Sequence, residues 1–279
     1  VPTSPTMYTL DPARPVLVRP DGTVQVGWDP RRAVLIEPPR GMTATDLARM
    51  LRSMHSPTPM AALQRQADAA AVQKLITRLV EAGIVTPGPR QQAGRSASIR
   101  VHGRGPLSDL LVGALRCSGA RITHTGHPHA AVTAAGADLV VLSDYLVADP
   151  RMVRELHNQG VAHLQVRVRD GTGLVGPLVI PGVTSCSGCA DLHRRDRDAA
   201  WPVVAVQLRD TVGTADRATL MATTALALSQ VNRVIGALRG ADGGPDPGPP
   251  SALNATLEFN VHTGSIVARH WPRHPLCSC

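Results

Sequence analysis

Aromatic residues are nearly missing: one Phe, two Tyr and three Trp in 279 residues. Any core must be packed from Val, Leu, Ala and Ile, and a chain of this length has enough of them for two domains. Lysine is missing too, Lys74 apart. A nucleotide site that rests a lysine on phosphates is thereby excluded beyond the N-terminal third, where arginine would have to serve. No apolar run approaches the ~18 residues of a membrane-spanning helix, so no membrane partner is expected. No signal-peptide pattern opens the sequence, and a cytoplasmic location is the expectation. The formal charge is +8, yet basic residues form no run of five or six. Nucleic acid is therefore not an expected partner, and an acidic peptide or protein fits the charge as well. Neither a GxSxG motif nor a Ser/His/Asp ordering is present.

What the chain does have is two short cysteine pairs. Cys186-Ser-Gly-Cys189 is followed roughly ninety residues later by Cys277-Ser-Cys279. A CxxC knuckle sets two thiolates at a spacing suited to tetrahedral Zn2+, and a second pair closes the shell with no position left for water. That pattern belongs to a structural zinc. Two other uses remain open: redox or disulfide chemistry, and a site in which His193 or His274 replaces one cysteine. The fifth cysteine, Cys117, falls in an apolar helical pattern and is expected to be a small core residue.

Residues 1–14 are rich in Pro and Thr and are expected to be loosely held. Val16–Val18 and Val24–Trp28 read as a hairpin, and Ala33–Ile36 as a third strand ending at Pro38-Pro39. Three helices follow. Thr43 caps the first, Thr58-Pro59 opens the second, and the third carries Val72, Leu75, Ile76, Leu79 and Val80 on one face. A small sheet with three short helices suggests a winged-helix-like domain over residues 1–90, followed by a linker over 91–98. From residue 99 to 279 short apolar strands (Ile99–Val101, Ala120–Thr123, Leu139–Leu142, Leu164–Val168, Leu174–Ile180) alternate with helices. The fold class is α/β, with a Rossmann-like, mostly parallel sheet. A long helix over Ala218–Leu238, a Gly/Pro-rich loop over 240–250 and a closing hairpin over 253–271 complete it.

Gly103 and Gly105, between a strand and a helix, read as the beginning of a dinucleotide-type phosphate loop or, since a lone GxG is weak evidence, as a tight strand-to-helix turn that has lost its ligand. The third small position falls on Ser108, and the acidic residue expected about twenty positions on is replaced by Thr123-His124-Thr125. Asp144 follows a strand and stands at the carboxyl edge of the sheet, where it would hold Mg2+ with Arg151 and Arg154 on phosphates, or else end the strand while Asp149 caps a helix. His124, His127 and His129 have metal-like spacing in a polar Gly/Pro turn.

The passage Val175-Gly-Pro-Leu-Val-Ile-Pro-Gly-Val-Thr-Ser-Cys-Ser-Gly-Cys-Ala-Asp-Leu-His-Arg194, with Asp196, Asp198, Trp201-Pro202, Gln207-Leu208 and the tail His274–Cys279, resembles a known group. It is similar to the ubiquitin-activating-enzyme-like cyclodehydratase partner, or leader-peptide-binding, proteins of thiazole/oxazole-modified peptide biosynthesis. The resemblance implies a scaffold. The winged-helix domain would take a precursor (leader) peptide along its third strand and third helix, here Ala33, Val34, Leu35 and Ile36 with Lys74 and Arg78. The zinc-pinned domain, on Cys186, Cys189, Cys277 and Cys279, would present it to a YcaO-type cyclodehydratase. The parent superfamily adenylates with ATP and Mg2+. Ser108, the missing ribose acid and the lack of lysine depart from that set, so ATP chemistry of its own is not expected. A homodimer is a further candidate assembly. Two other functions stay open: an ATP-dependent adenylating enzyme, and a winged-helix DNA-binding regulator.

Overall fold

The computed structural model describes residues 5–88, 96–126, 136–239 and 248–279, which fall into two compact units, the first within residues 5–88 and the second formed by the rest. His127, His129, residues 91–95 of the expected linker and most of the 240–250 loop lie outside the described residues.

In the first unit, β1 (Met7–Leu10), β2 (Val16–Val18), β3 (Val24–Val26) and β4 (Val34–Ile36) precede α1 (Ala44–Ser53). Then come β5 (Thr58–Pro59), α2 (Met60–Gln64), α3 (Ala69–Glu81) and β6 (Val85–Gly88). They make two three-stranded sheets, β5-β1-β6 and β2-β3-β4, where the sequence suggested one. One expectation fails here. The N-terminal segment is not loosely held throughout: β1 is the central strand of its sheet, paired on both sides, with Leu10 fully buried. Thr58-Pro59 does lead into the second helix, Pro59 being the N-cap of α2, and it also pairs with Met7 and Tyr8, where the missing proline N–H costs nothing at the end of an edge strand. The cap of α1 was legible: Thr43 accepts the Asp46 N–H and donates its hydroxyl to the Asp46 carboxylate at 2.6 Å. Asp68, not singled out in the sequence, caps α3 by accepting the Ala71 N–H at 2.8 Å. The apolar face of α3 (Val72, Leu75, Ile76, Leu79) is buried in a core shared with Leu47, Leu51 and Ile36.

The second unit runs β7 (Ser98–His102), α4 (Pro106–Leu115), a 3-10 turn (Arg116–Ser118), β8 (Arg121–Thr125), β9 (Leu139–Ser143), α5 (Pro150–Asn158), β10 (Ala162–Arg169) and β11 (Thr172–Val179). It continues with α6 (Ser187–Arg197), α7 (Trp201–Leu208), α8 (Arg217–Arg239), β12 (Ala255–Asn260) and β13 (Ser265–His270). The seven strands form one sheet in the order β13-β12-β11-β10-β9-β7-β8. Strands β8, β7, β9 and β10 are parallel, and the antiparallel steps to β11, β12 and β13 leave five of seven strands pointing one way. The sheet is therefore mostly parallel, with an antiparallel edge.

The two faces of this sheet differ in chemistry because strand side chains alternate. Along β10, Leu164, Val166 and Val168 enter a core built with Leu107, Leu111 and Leu115 of α4 and with Ala227, Val231 and Ile235 of α8. Gln165, Arg167 and Arg169 lie at the intervening positions. Leu107, Leu111 and Leu115 recur every four residues, so Cys117, two positions past the last of them, turns away from that face. It is exposed on the 3-10 turn, not buried as expected. Among the described residues no helix is long and apolar enough to cross a membrane.

Candidate metal centre and glycine loop

Cys186 stands at the N-cap of α6 and Cys189 in its first turn, where the Cys189 N–H bonds the Cys186 carbonyl at 3.1 Å. The chain after β13 returns to this turn and brings Cys277 and Cys279 with it. All four sulfurs lie within 4.8 Å of one another, with Cys186–Cys277 at 3.5 Å, Cys189–Cys279 at 3.4 Å and Cys186–Cys189 at 3.9 Å. A tetrahedron with ~2.3 Å metal–sulfur bonds has edges of about 3.8 Å, so the sulfurs fit one ion. All four are free thiols, two buried and two half-buried. Burial pushes the Cys186 thiol up. Burial also acts to raise Cys189, but backbone N–H groups of His274 and Cys186 and the facing thiols bring it down to about 7. Cys189 is thus the readiest of the set to ionise, and a cation would favour the thiolate form of all four.

The return of the tail does not depend on sulfur alone. His274 donates from Nε2 to Asp196 at 2.7 Å while its Nδ1 accepts the Leu276 N–H, and the Asp196 carboxyl is held below the ordinary range by that bond. His193 bonds the Pro272 carbonyl at 3.0 Å, and Arg273 donates to the Gly182 carbonyl at 2.6 Å. The Arg194 guanidinium lies over Trp201 and Trp271, 5.1 and 4.9 Å from their ring centres. His193 and His274 thus gather with Asp196 in a group of their own, apart from the four sulfurs. Sequence reasoning named both histidines only as substitute ligands and missed this bracing, which joins residues almost eighty positions apart.

The glycine loop has a different occupant from the one its pattern suggests. Pro106 opens α4, so the first N–H groups available at its N-terminus are those of Leu107 and Ser108. Both donate to the carboxylate of Asp144, at 2.9 Å to Oδ1 and 3.2 Å to Oδ2. Asp144 is 1% exposed and sits at φ 72, a costly conformation for a residue with a side chain. Its own N–H to the Val166 carbonyl and its carbonyl to the Gly213 N–H hold it there. The glycines make room for this carboxylate. A Cβ on Gly105 would come within 2.7 Å of Asp144 Oδ1, and one on Gly103 within 2.7 Å of Oδ2 and against Ser143 Oγ. Ser108 folds back, donating to the Gly105 carbonyl at 2.8 Å and accepting its N–H at 3.1 Å. Gly103, Gly105, Ser108 and Asp144 therefore do meet, as one capped helix end. Asp149 caps α5 through the Arg151 N–H, and His124 bonds the Gly103 carbonyl.

In the first unit β4 has a paired neighbour only in β3, leaving its other side as a sheet edge among the described residues. Val34, Leu35 and Ile36 form the strand; Ala33 lies in the preceding turn, its N–H bonded to the Asp29 carbonyl at 2.7 Å. Leu35 is exposed on that strand, and Lys74 and Arg78 are exposed on α3.

No protein-family model and no curated protein sequence matches the chain. Solved structures do. The heterocyclase TruD is 18% identical with a TM-score of 0.69, over 98% of this chain and 42% of its own. A heterocyclase in complex with substrate and cofactor is 15% identical with a TM-score of 0.69, over 99% and 39%. MccB of E. coli with ATP is 13% identical with a TM-score of 0.59, over 98% of this chain and 99% of its own. The chain spans about two fifths of the length of the heterocyclases and nearly all of MccB. What it shares with them is the fold.

Proposed function

We propose that the chain is a scaffold of ribosomal-peptide modification: a zinc-pinned, ubiquitin-activating-enzyme-like unit joined to a winged-helix-like unit that binds a precursor leader peptide and presents it to a YcaO-type cyclodehydratase. The likeness in fold to two heterocyclases and to MccB supports the setting. The observation that carries the scaffold reading is the carboxylate of Asp144 on the Leu107 and Ser108 N–H groups. A helix N-terminus attracts phosphate through its unpaired N–H groups and its dipole. Here an internal anion has both, and a nucleotide phosphate would meet a negative charge instead. The four-sulfur set leaves no open coordination position, so the zinc is structural.

The leader adds a strand to the β4 edge, with backbone bonds giving affinity and exposed Leu35 offering an apolar contact. Lys74 and Arg78 on α3 favour an acidic leader. Two arms test the reading on the full chain. Calorimetric titration with Mg-ATP is expected to show no binding tighter than about the millimolar range. Anisotropy with a labelled acidic leader-type peptide is expected to show binding that Arg78→Glu weakens about fivefold, chiefly through slower association. Micromolar ATP binding, or duplex DNA competing with the peptide, would replace the reading.

Adenylation is the second reading, favoured by the match to MccB over nearly the whole of both chains. ATP–pyrophosphate exchange by the purified chain decides between them.

A further inference from the structure

On the face of the sheet away from α8, a cavity of about 470 Å3 opens between β10, β11 and β12 and the helices α6 and α7. Six arginines line it (Arg154, Arg167, Arg169, Arg194, Arg197 and Arg269), against three carboxylates, Asp191, Asp198 and Glu258. Each carboxylate is already engaged. Glu258 accepts Arg269 at 2.8 and 3.2 Å and has Arg169 at 3.6 Å. Asp191 accepts Arg194 at 2.8 Å and the Trp201 indole N–H at 3.2 Å. Asp198 accepts the Ala200 N–H at 2.9 Å.

Arg167 is left over. It is 7% exposed, and among the described residues it has no ion pair. Its one side-chain partner is the Gln165 carbonyl oxygen, and Gln165 in turn donates to Ser187 Oγ at 2.9 Å. The guanidinium is thus held in place by a neutral amide. Burial, with the charges of Arg194 and Arg169, outweighs the opposing charges of Asp191 and Glu258 and brings its pKa down to about 9, which still leaves it charged at neutral pH. Asp191 and Glu258 act on it only from beyond ion-pair distance, and a buried cation with no carboxylate in contact is expensive, of the order of several kcal/mol. An arrangement that keeps it beside an open cavity invites an anion.

The walls say which kind. Leu146, Val153, Leu174, Pro177 and Trp201 give the cavity an apolar lining. One buried guanidinium matches one carboxylate in a planar two-bond fit, whereas a phosphate dianion would leave a charge unmatched against those walls. The remaining free arginines, Arg154 and Arg197, are exposed at the rim, where they attract an anion without paying its desolvation. We propose that this cavity binds an organic carboxylate, its carboxylate on Arg167 and its apolar body against Leu174, Pro177 and Trp201. The carboxylate comes either from a free small acid or from the side chain of an acidic peptide.

Calorimetry and tryptophan fluorescence on the full chain separate these sources. The probes are N-acetyl-leucine, acetyl-Leu-Glu-Leu-amide, its glutamine twin and inorganic phosphate. Binding by either carboxylate, with the twin and phosphate silent to about 10 mM, supports the proposal; which of the two binds names the source. Arg167→Met keeps the length of the side chain and removes the charge, so at least a tenfold loss of binding is expected with no fall in Tm. Val153→Trp, which fills the cavity from α5 and leaves Arg167 in the sequence, is expected to abolish binding and guards against a misfolded first variant. Arg78→Glu, in the first unit, should leave binding of these probes unmoved, so failure here is distinct from failure of the leader site. Silence of both carboxylates, equal binding by the twin or phosphate, or unchanged binding by both cavity variants overturns it.

Discussion

At the N-terminus of α4 the chain supplies its own anion; in the cavity beside β10 it supplies a cation with, among the described residues, only a neutral amide for a partner. The two places share a sheet but solve opposite electrostatic problems. Asp144 satisfies two backbone N–H groups and is boxed in by glycines with no room to spare, so that region is closed. Arg167 is held by a neutral amide beside about 470 Å3 of space, so that region is open. Closure marks structure, and an unmatched buried charge marks recognition. A glycine pattern that reads as a binding loop in sequence can therefore be the less receptive of two sites.

The comparison breaks most completely if the proposed zinc goes. Ser187 and Gly188, next to Cys186, form part of the cavity wall, so the open region depends on the cysteine cluster. About one zinc per chain is expected by elemental analysis. Its removal, or Cys186→Ser, should cost up to about 10 kcal/mol and abolish cooperative melting of the α/β unit. A metal-free chain with an unchanged melt would show that the sulfurs carry no ion.

The next effect is sharper in sign than in size. Asp144→Ala strips two charge-assisted bonds from buried N–H groups and should cost about 2–4 kcal/mol in denaturant melts. Phosphate in the buffer should recover part of that loss for Asp144→Ala while leaving the parent chain unmoved, since the α4 terminus is vacated only in the variant. Arg167→Met should go the other way, neutral or stabilising. If both substitutions destabilise alike, the contrast between closed and open regions fails.

The smallest effect concerns acid. Hydrogen bonding from Arg269, together with the charges of Arg269 and Arg169, holds Glu258 below its ordinary value of 4.5. A depressed carboxyl gives stability that is complete above the ordinary value and is lost as pH falls through the lowered one. The pairing arginines are half exposed, so the loss is roughly 0.5 kcal/mol, seen below about pH 4.5. Glu258→Gln should flatten that limb of the stability–pH curve. An unchanged limb would place the acid sensitivity elsewhere.

Legibility in the sequence followed the range of the interactions. The cysteine pairs, the cap of α1 and the apolar strands are local patterns, and the structure brings them where the patterns lead. Asp144 could be placed at the end of its strand, but the helix it caps begins almost forty residues earlier, and no spacing rule links the two. β1 was hidden because its partners, Thr58-Pro59 and Val85–Gly88, lie far along the chain. Cys117 failed for a local reason: the helix stops at Leu115 and the turn that follows rotates it outward. The cavity had a signal that went unread, since His163, Gln165, Arg167 and Arg169 occupy alternate positions of a strand whose other residues are apolar.

That alternation has an evolutionary consequence. Residues 164, 166 and 168 are constrained by a dry core, where a change of even one methylene is felt. Residues 165, 167 and 169 line the cavity instead, and the buried Gln165 and Arg167 are held there by hydrogen bonds rather than by apolar packing. Successive codons of one strand are therefore constrained by different rules, one set by packing and the next by polar contacts. A lineage carrying this sheet can exchange what the cavity accepts by altering every second residue of β10, and its descendants would keep the fold while diverging in ligand.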